Sequence, residues 1–194
     1  MSKYSTSAVL PLIFLIGANL VPLLGIYLFG WSVQAILVVY WVESVIIGVL
    51  NIPRIFATRG GLGQKIFMSM FFCVHFGAFC GAHAAILVNV FEARPLFVEL
   101  LRGGALLWTA LSFGLSHFVS LLVRLARGEF ADKTPNEQLM APYGRVMIMH
   151  MVVLFGAIGM GFYGASIFAV ILLVILKTIV DIAAHNRETK KATV

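Results

Sequence analysis

Glu43, His75, His117, His150, Lys177 and Asp181 are the residues of this chain best suited to chemistry, because each ionisable group stands inside a long apolar run. Such a group is costly in a membrane-like setting unless it faces the protein interior, where it pairs with another charge or lines a functional cavity. Neutral imidazoles with a carboxylate are the usual donor set for a divalent transition metal such as Zn or Fe. His75, His117 and His150 with Glu43 would complete a metal site, and an open position on the ion would activate water against a lipid ester or amide. In that reading the catalytic carboxylates are Glu43 and Asp181, the latter acting as general base or orienting a histidine.

Two other readings use the same residues. Histidine and carboxylate chains relay protons across bilayers, so the layer would serve a proton-coupled transporter or permease of a small solute. Alternatively the charges only neutralise one another in a structural scaffold. Lys177 and Asp181 stand at i and i+4, and the imidazoles would bond to Tyr40, Ser44, Ser116 or backbone carbonyls. His83 and His185 belong to the edge of the layer, the first about eight residues nearer the far side and the second near the interface. Neither HExxH nor HxxxH, the local ligand spacings of metalloproteases, occurs in the chain. A haem held between two histidines is a lesser alternative to Zn or Fe.

The elements that must position these residues follow from composition. Of 194 residues 61% are hydrophobic and only 11% charged, and the mean hydropathy is +1.00. A water-soluble fold, with about a quarter of its residues charged, could not hide that much apolar surface. A bilayer-crossing helix needs roughly 20 apolar residues, and six runs qualify, at about 8–29, 32–52, 66–91, 104–125, 144–162 and 165–184. The expected fold is therefore all-α: a polytopic membrane helical bundle of six transmembrane helices, with residues 1–194 forming a single transmembrane domain. The net charge of +6 does not indicate nucleic acid, since the basic residues flank apolar runs. On one side lie Lys3, Arg54, Arg59, Lys65, Arg124, Arg127, Lys133, Arg145, Arg187, Lys190 and Lys191; on the other lie only Arg94 and Arg102. Basic loops stay inside, so both termini are expected in the cytoplasm, at the inner membrane of a prokaryote. That topology puts Glu43, His75, His117, His150, Lys177 and Asp181 in the cytoplasmic half of the bilayer. The expected partners are the lipid bilayer and a lipid or small-molecule substrate.

Other features complete the expectation. Cys73 and Cys80, seven residues apart, would stand about 10 Å apart along a helix, too far for a disulfide. Gly77 with Gly81, and Gly156 with Gly159 to Gly161, read as faces where helices approach closely. Trp31, Trp108, Tyr143 and Tyr163, near span ends, read as interfacial anchors. The segment 92–103 should lie along the interface. Residues 128–143 form the one long hydrophilic loop, the best candidate for a lid or partner surface.

At Tyr40-Trp41-Val42-Glu43, His75 to His83, Ser116-His117, Pro142-Tyr143-Gly144-Arg145 with His150, and Leu176-Lys177-Thr178 with Asp181 and His185, the chain resembles a family of prokaryotic multi-pass integral membrane proteins classed as a domain of unknown function. The resemblance runs from Asn19-Leu20-Val21-Pro22 to His185 and implies membrane location. Ser44 stands where that pattern leads one to expect Asn, which argues against a ligand role there. In kind of site rather than in sequence, the chain is also similar to seven-helix intramembrane zinc hydrolases related to ceramidases and adiponectin receptors. Here the expected spans are six, and Asp181-x-x-x-His185 replaces the HxxxH of their last helix.

Overall fold

A computed structural model describes residues 20–164 and 167–192, with side chains except at 163, 181 and 183–192. Among the described residues the regular elements are all helices. They are α1 (Leu20–Phe29), α2 (Val33–Phe56), α3 (Leu62–Asn89), α4 (Arg94–Arg102), α5 (Ala105–Ala126), α6 (Pro135–Met140), α7 (Tyr143–Tyr163) and α8 (Ile167–Ala192). Among the described residues four segments are long and apolar enough to cross a membrane: Val33–Phe56, Leu62–Asn89, Ala105–Ala126 and Pro135–Phe162. The first expected span precedes Leu20 over half its length, and that part lies outside the described residues.

Local chemistry starts and stops these helices. Ser32 caps α2 by accepting a hydrogen bond from the Ala35 amide at 2.9 Å, satisfying one of the orphan donors of the first turn. Thr134 and Glu137 form a reciprocal capping box at the head of α6. Pro95 opens α4, and Gly103, at φ +88°, closes it in the left-handed conformation that glycine adopts freely. Within the segment expected along the interface, α4 is a short helix between two long ones.

Helix α2 is the central element, packed against α3, α5 and α8 and touching α4, α6 and α7. One core cluster joins Leu37 and Val38 of α2 to Leu87 of α3, Val152 and Val153 of α7, and Ala169 and Val170 of α8, all fully buried. A second joins Ile55 of α2 to Phe72 and Phe76 of α3, Leu139 of α6 and Val146 of α7. Helices approach closely at Gly156, where a Cβ would sit 2.5 Å from the Ala169 Cβ, and at Gly48, where it would run into the Phe76 ring. The close approach expected at Gly156 and Gly159 is present, whereas Gly161, Gly77 and Gly81 face open space. Exposed apolar side chains such as Phe67, Met70, Phe71 and Val74 of α3 and Leu115, Phe118 and Leu122 of α5 cover the outside, as a lipid-facing surface requires.

The hydrophilic segment 128–143 is anchored as well as exposed. Phe130, Gln138 and Leu139 are each at most 3% exposed, and α6 lies against both α2 and α3. The segment folds back between the ends of those helices because its apolar residues, Phe130, Pro135 and Leu139, are buried there, while Asn51 offers its amide to Gln138.

Candidate functional site

Glu43 sits near the middle of α2 and is the hub of the polar interior. Its Oε1 lies 3.2 Å from His117 Nε2 of α5, and its Oε2 accepts a hydrogen bond from Arg145 Nη2 of α7. The three side chains are 19% (Glu43), 28% (His117) and 23% (Arg145) exposed, so the group is half withdrawn from the surface. Arg145 is fixed twice more: its Nε donates to Ser44 Oγ at 3.3 Å, and its guanidinium carbon lies 4.6 Å from the centre of the buried Tyr40 ring. The Ser44 hydroxyl in turn donates to the Tyr40 carbonyl at 2.8 Å. A carboxylate shared by a guanidinium and an imidazole is compensated in charge and bonded at both oxygens, which a buried acid requires.

Above this hub, between α1, α2, α5 and α8, lies a cavity of about 470 Å³. Its walls are apolar, with Ile36 and Val39 of α2, Phe113 of α5 and Leu173 and Val174 of α8, and Trp31 stands at its α1–α2 end. Glu43 and Lys177 are its charged lining residues. On α2 the lining positions Ala35, Ile36, Val39, Tyr40 and Glu43 form a stripe at helical spacing, so the cavity runs from the Trp31 end of the bundle down to Glu43. Lys177 is half-buried and has no hydrogen bond or ion pair among the described residues. Nearer its other end, α2 meets α6. There Asn51 Nδ2 donates to the Gln138 carbonyl at 3.1 Å, and Gln138 Nε2 donates to Asn51 Oδ1 at 2.7 Å. Asn51 and Gln138 are respectively 0% and 2% exposed.

The expected ligand set is not brought together. Glu43 and His117 meet as anticipated, and Lys177 lines the same cavity. His75, however, has its Nδ1 2.7 Å from the Tyr143 hydroxyl, and His150 Nδ1 stands 3.2 Å from His83 Nε2. The four proposed ligands are thus divided among three contacts. Among the described residues no group of three or more His, Cys, Asp and Glu stands close enough to hold a metal ion. His83, expected at the edge of the layer, is 2% exposed and meets His150 there. Tyr143, expected as an interfacial anchor, is edge-on to Phe72 and Phe76 beside His75. Ser116 is exposed and takes no part. The side chains of Asp181 and His185 lie outside the described residues, so the expected Lys177–Asp181 pair does too.

Three residues of this interior were not singled out by sequence. Arg145 was read as a loop charge. Its signal was its place inside Tyr143–Tyr163, two residues past the helix start. Asn51 and Gln138 had a weaker signal, an amide embedded in an apolar run and one just before such a run.

The model of a family described as a family of unknown function (DUF6498) matches residues 1–194. No curated protein matches the chain, and no solved structure does.

Proposed function

The chain belongs to the family of unknown function DUF6498, and on that premise we propose that it is a six-span protein of the prokaryotic inner membrane, with both termini inside, that binds and carries a small amphiphilic anion in a proton-linked step. The observation that carries this reading is a cavity with apolar walls that ends halfway along α2 at Lys177 and Glu43. Carriers hold solute near the middle of the membrane in such a cavity, and ionisable residues there mark the path. The apolar part of the solute would lie along Ile36, Val39, Phe113 and Leu173, and its anionic group would meet the Lys177 ammonium. Glu43 supplies the proton linkage. While ionised it holds Arg145 and His117; protonation of Glu43 would free both donors and leave a cation beside the anion. The metal-dependent hydrolase needs a third ligand at one point, and the described side chains supply pairs.

A scaffold role has one observation in its favour, the neutralisation of Glu43 by Arg145 and His117. The two readings part on binding. Trp31 lines the cavity, so its fluorescence should report occupancy when purified protein in detergent is titrated with decanoate. A saturable change is expected. Lys177→Gln should weaken it about tenfold to a hundredfold, the worth of one charge-assisted hydrogen bond, while Lys177→Arg keeps most of it. In proteoliposomes Glu43→Gln should retain decanoate binding and lose the effect of an imposed pH gradient on uptake. No saturable signal in the unaltered protein, or an unchanged titration in Lys177→Gln, would leave the scaffold standing.

A further inference from the structure

The end of the bundle opposite the cavity mouth holds a second polar arrangement that the proposed carrier does not use. Arg54 lies in the last turn of α2, and its Nε is buried with no hydrogen-bond partner. Buried donors in folded proteins are almost always bonded, and one on a guanidinium is the costliest kind to leave unmade. Arg124, in the last turn of α5, lies near enough for its positive charge to bear on Arg54. Among the described residues Arg124 has one carboxylate, Glu129, at 2.6 Å from its Nε, and Arg54 has none. Phe130, 1% exposed, is flanked by cations: the Arg124 Cζ is 5.1 Å and the Lys133 Nζ 5.6 Å from its ring centre. The Arg124 guanidinium and the Lys133 ammonium thus flank an apolar ring, and the Arg54 guanidinium at the same end of the bundle has no acid of its own.

We propose that Arg54 and Arg124 together bind a phosphate group, with the forked donors of each guanidinium taking separate phosphate oxygens. A guanidinium fork matches phosphate oxygens in pairs, and an anion between two guanidinium groups turns their repulsion into attraction. The position suits a phospholipid headgroup. From Val33 to Phe56 α2 has 24 residues, about 36 Å of helix, longer than the ~30 Å hydrocarbon layer, so its last turn reaches headgroup depth. Phosphate in solution has the same chemistry, and the test separates the two sources.

The full chain is purified in dodecylmaltoside, and its thermal unfolding is followed with phosphatidylglycerol, with phosphatidylcholine and with inorganic phosphate alone. Phosphatidylglycerol should raise the unfolding temperature in a saturable way, and phosphatidylcholine, whose headgroup carries its own cation, should do so far less. Saturation by inorganic phosphate alone would assign the occupant to free phosphate; stabilisation by the lipid only assigns it to the headgroup. The Arg54→Gln, Arg124→Gln double variant should bind roughly thirtyfold more weakly, at the usual worth of a basic residue near an anionic headgroup. Lys190→Gln with Lys191→Gln, which removes the same charge from the tail, should bind as the unaltered protein does. Should the double variant fail to fold, Arg124→Gln alone and Arg54→Lys keep the question open to measurement, and each should show a partial loss. Equal shifts with both lipids and none with phosphate, or Arg54 and Arg124 variants that bind as tightly as the parent, would overturn the site.

Discussion

Glu43 shows what a single side chain can and cannot announce. Its place in an apolar run pointed to a paired, inward-facing acid, and its contact with His117 on α5 is as expected. The partner that dominates it, Arg145, was hidden because an arginine just after a loop is indistinguishable in sequence from a topology signal; only packing decides whether it turns to water or inward. Once inward, it is committed, since its guanidinium also stacks on Tyr40 and bonds Ser44. Breaking a buried ion pair from one side strands the other charge, whereas removing both is mild. Because Glu43 and Arg145 are 19% and 23% exposed, the cost should fall between the exposed and fully buried cases. Arg145→Gln alone should therefore cost about 1–3 kcal/mol, and Glu43→Gln with Arg145→Gln clearly less than the two single losses summed. Chemical unfolding of the four proteins in a double-mutant cycle measures the coupling, and strictly additive losses would mean the contact holds nothing together.

Among the elements, α6 explains most of what the sequence left illegible. Helix periods and apolar lengths located α2, α3, α5 and α7 within a few residues, because burial in a membrane leaves little ambiguity about long apolar runs. Depth along α7 was misjudged for a physical reason. A hydrophilic stretch of Asp132, Lys133, Asn136 and Glu137 reads as solvent-exposed loop, yet its apolar minority, Phe130, Pro135 and Leu139, pulls it between α2 and α3. Helix α7 consequently starts deeper than the surface. It sets Tyr143 against His75 and His150 against His83, pairings 68 and 67 residues apart along two parallel helices. His150 is thereby paired with His83, more than a turn beyond the Arg145 that meets Glu43, while His75 stands on an exposed face of α3 against Tyr143. The amide pair of Asn51 and Gln138 fastens α6 in that place. Asn51→Ala leaves the Gln138 side chain and carbonyl without their partner, a loss of about 1–3 kcal/mol, and the effect should be local because α6 is short. In a background lacking Cys73 and Cys80, a Leu139→Cys thiol, 3% exposed in its native form, should be labelled by maleimide roughly tenfold faster or more once Asn51 is alanine. An unchanged rate would show that apolar burial alone seats α6.

For the molecule as a whole, charge and cavity point in opposite directions, and that opposition is informative. Arg54, Lys65 and Arg124 gather where α2 and α5 end and α3 begins, while Arg94 and Arg102 lie on α4 between the other ends. The cavity runs from Trp31 to Glu43, so its Trp31 end lies at the poorly basic end. With the basic end in the cytoplasm, as proposed on the asymmetry of lysine and arginine, the Trp31 end faces outward. A carrier alternates between states open to one compartment and to the other, and the proposal places this bundle in the outward-facing one. The sequence carried the polar layer but not this direction, because cavity shape depends on where Pro22, Phe113 and Leu173 come to rest, and none of those has a chemical signature. Val39 lines the cavity one turn above Glu43, which makes it the position to ask. In the same cysteine-free background, Val39→Cys in intact cells should react with a membrane-impermeant thiol reagent added outside, and inverted vesicles should protect it. Decanoate should slow the outside reaction, since solute and reagent would compete for one space. Labelling from the cytoplasmic face instead would reverse the orientation and make the Trp31 end the inner one, and indifference to decanoate would separate the cavity from solute binding.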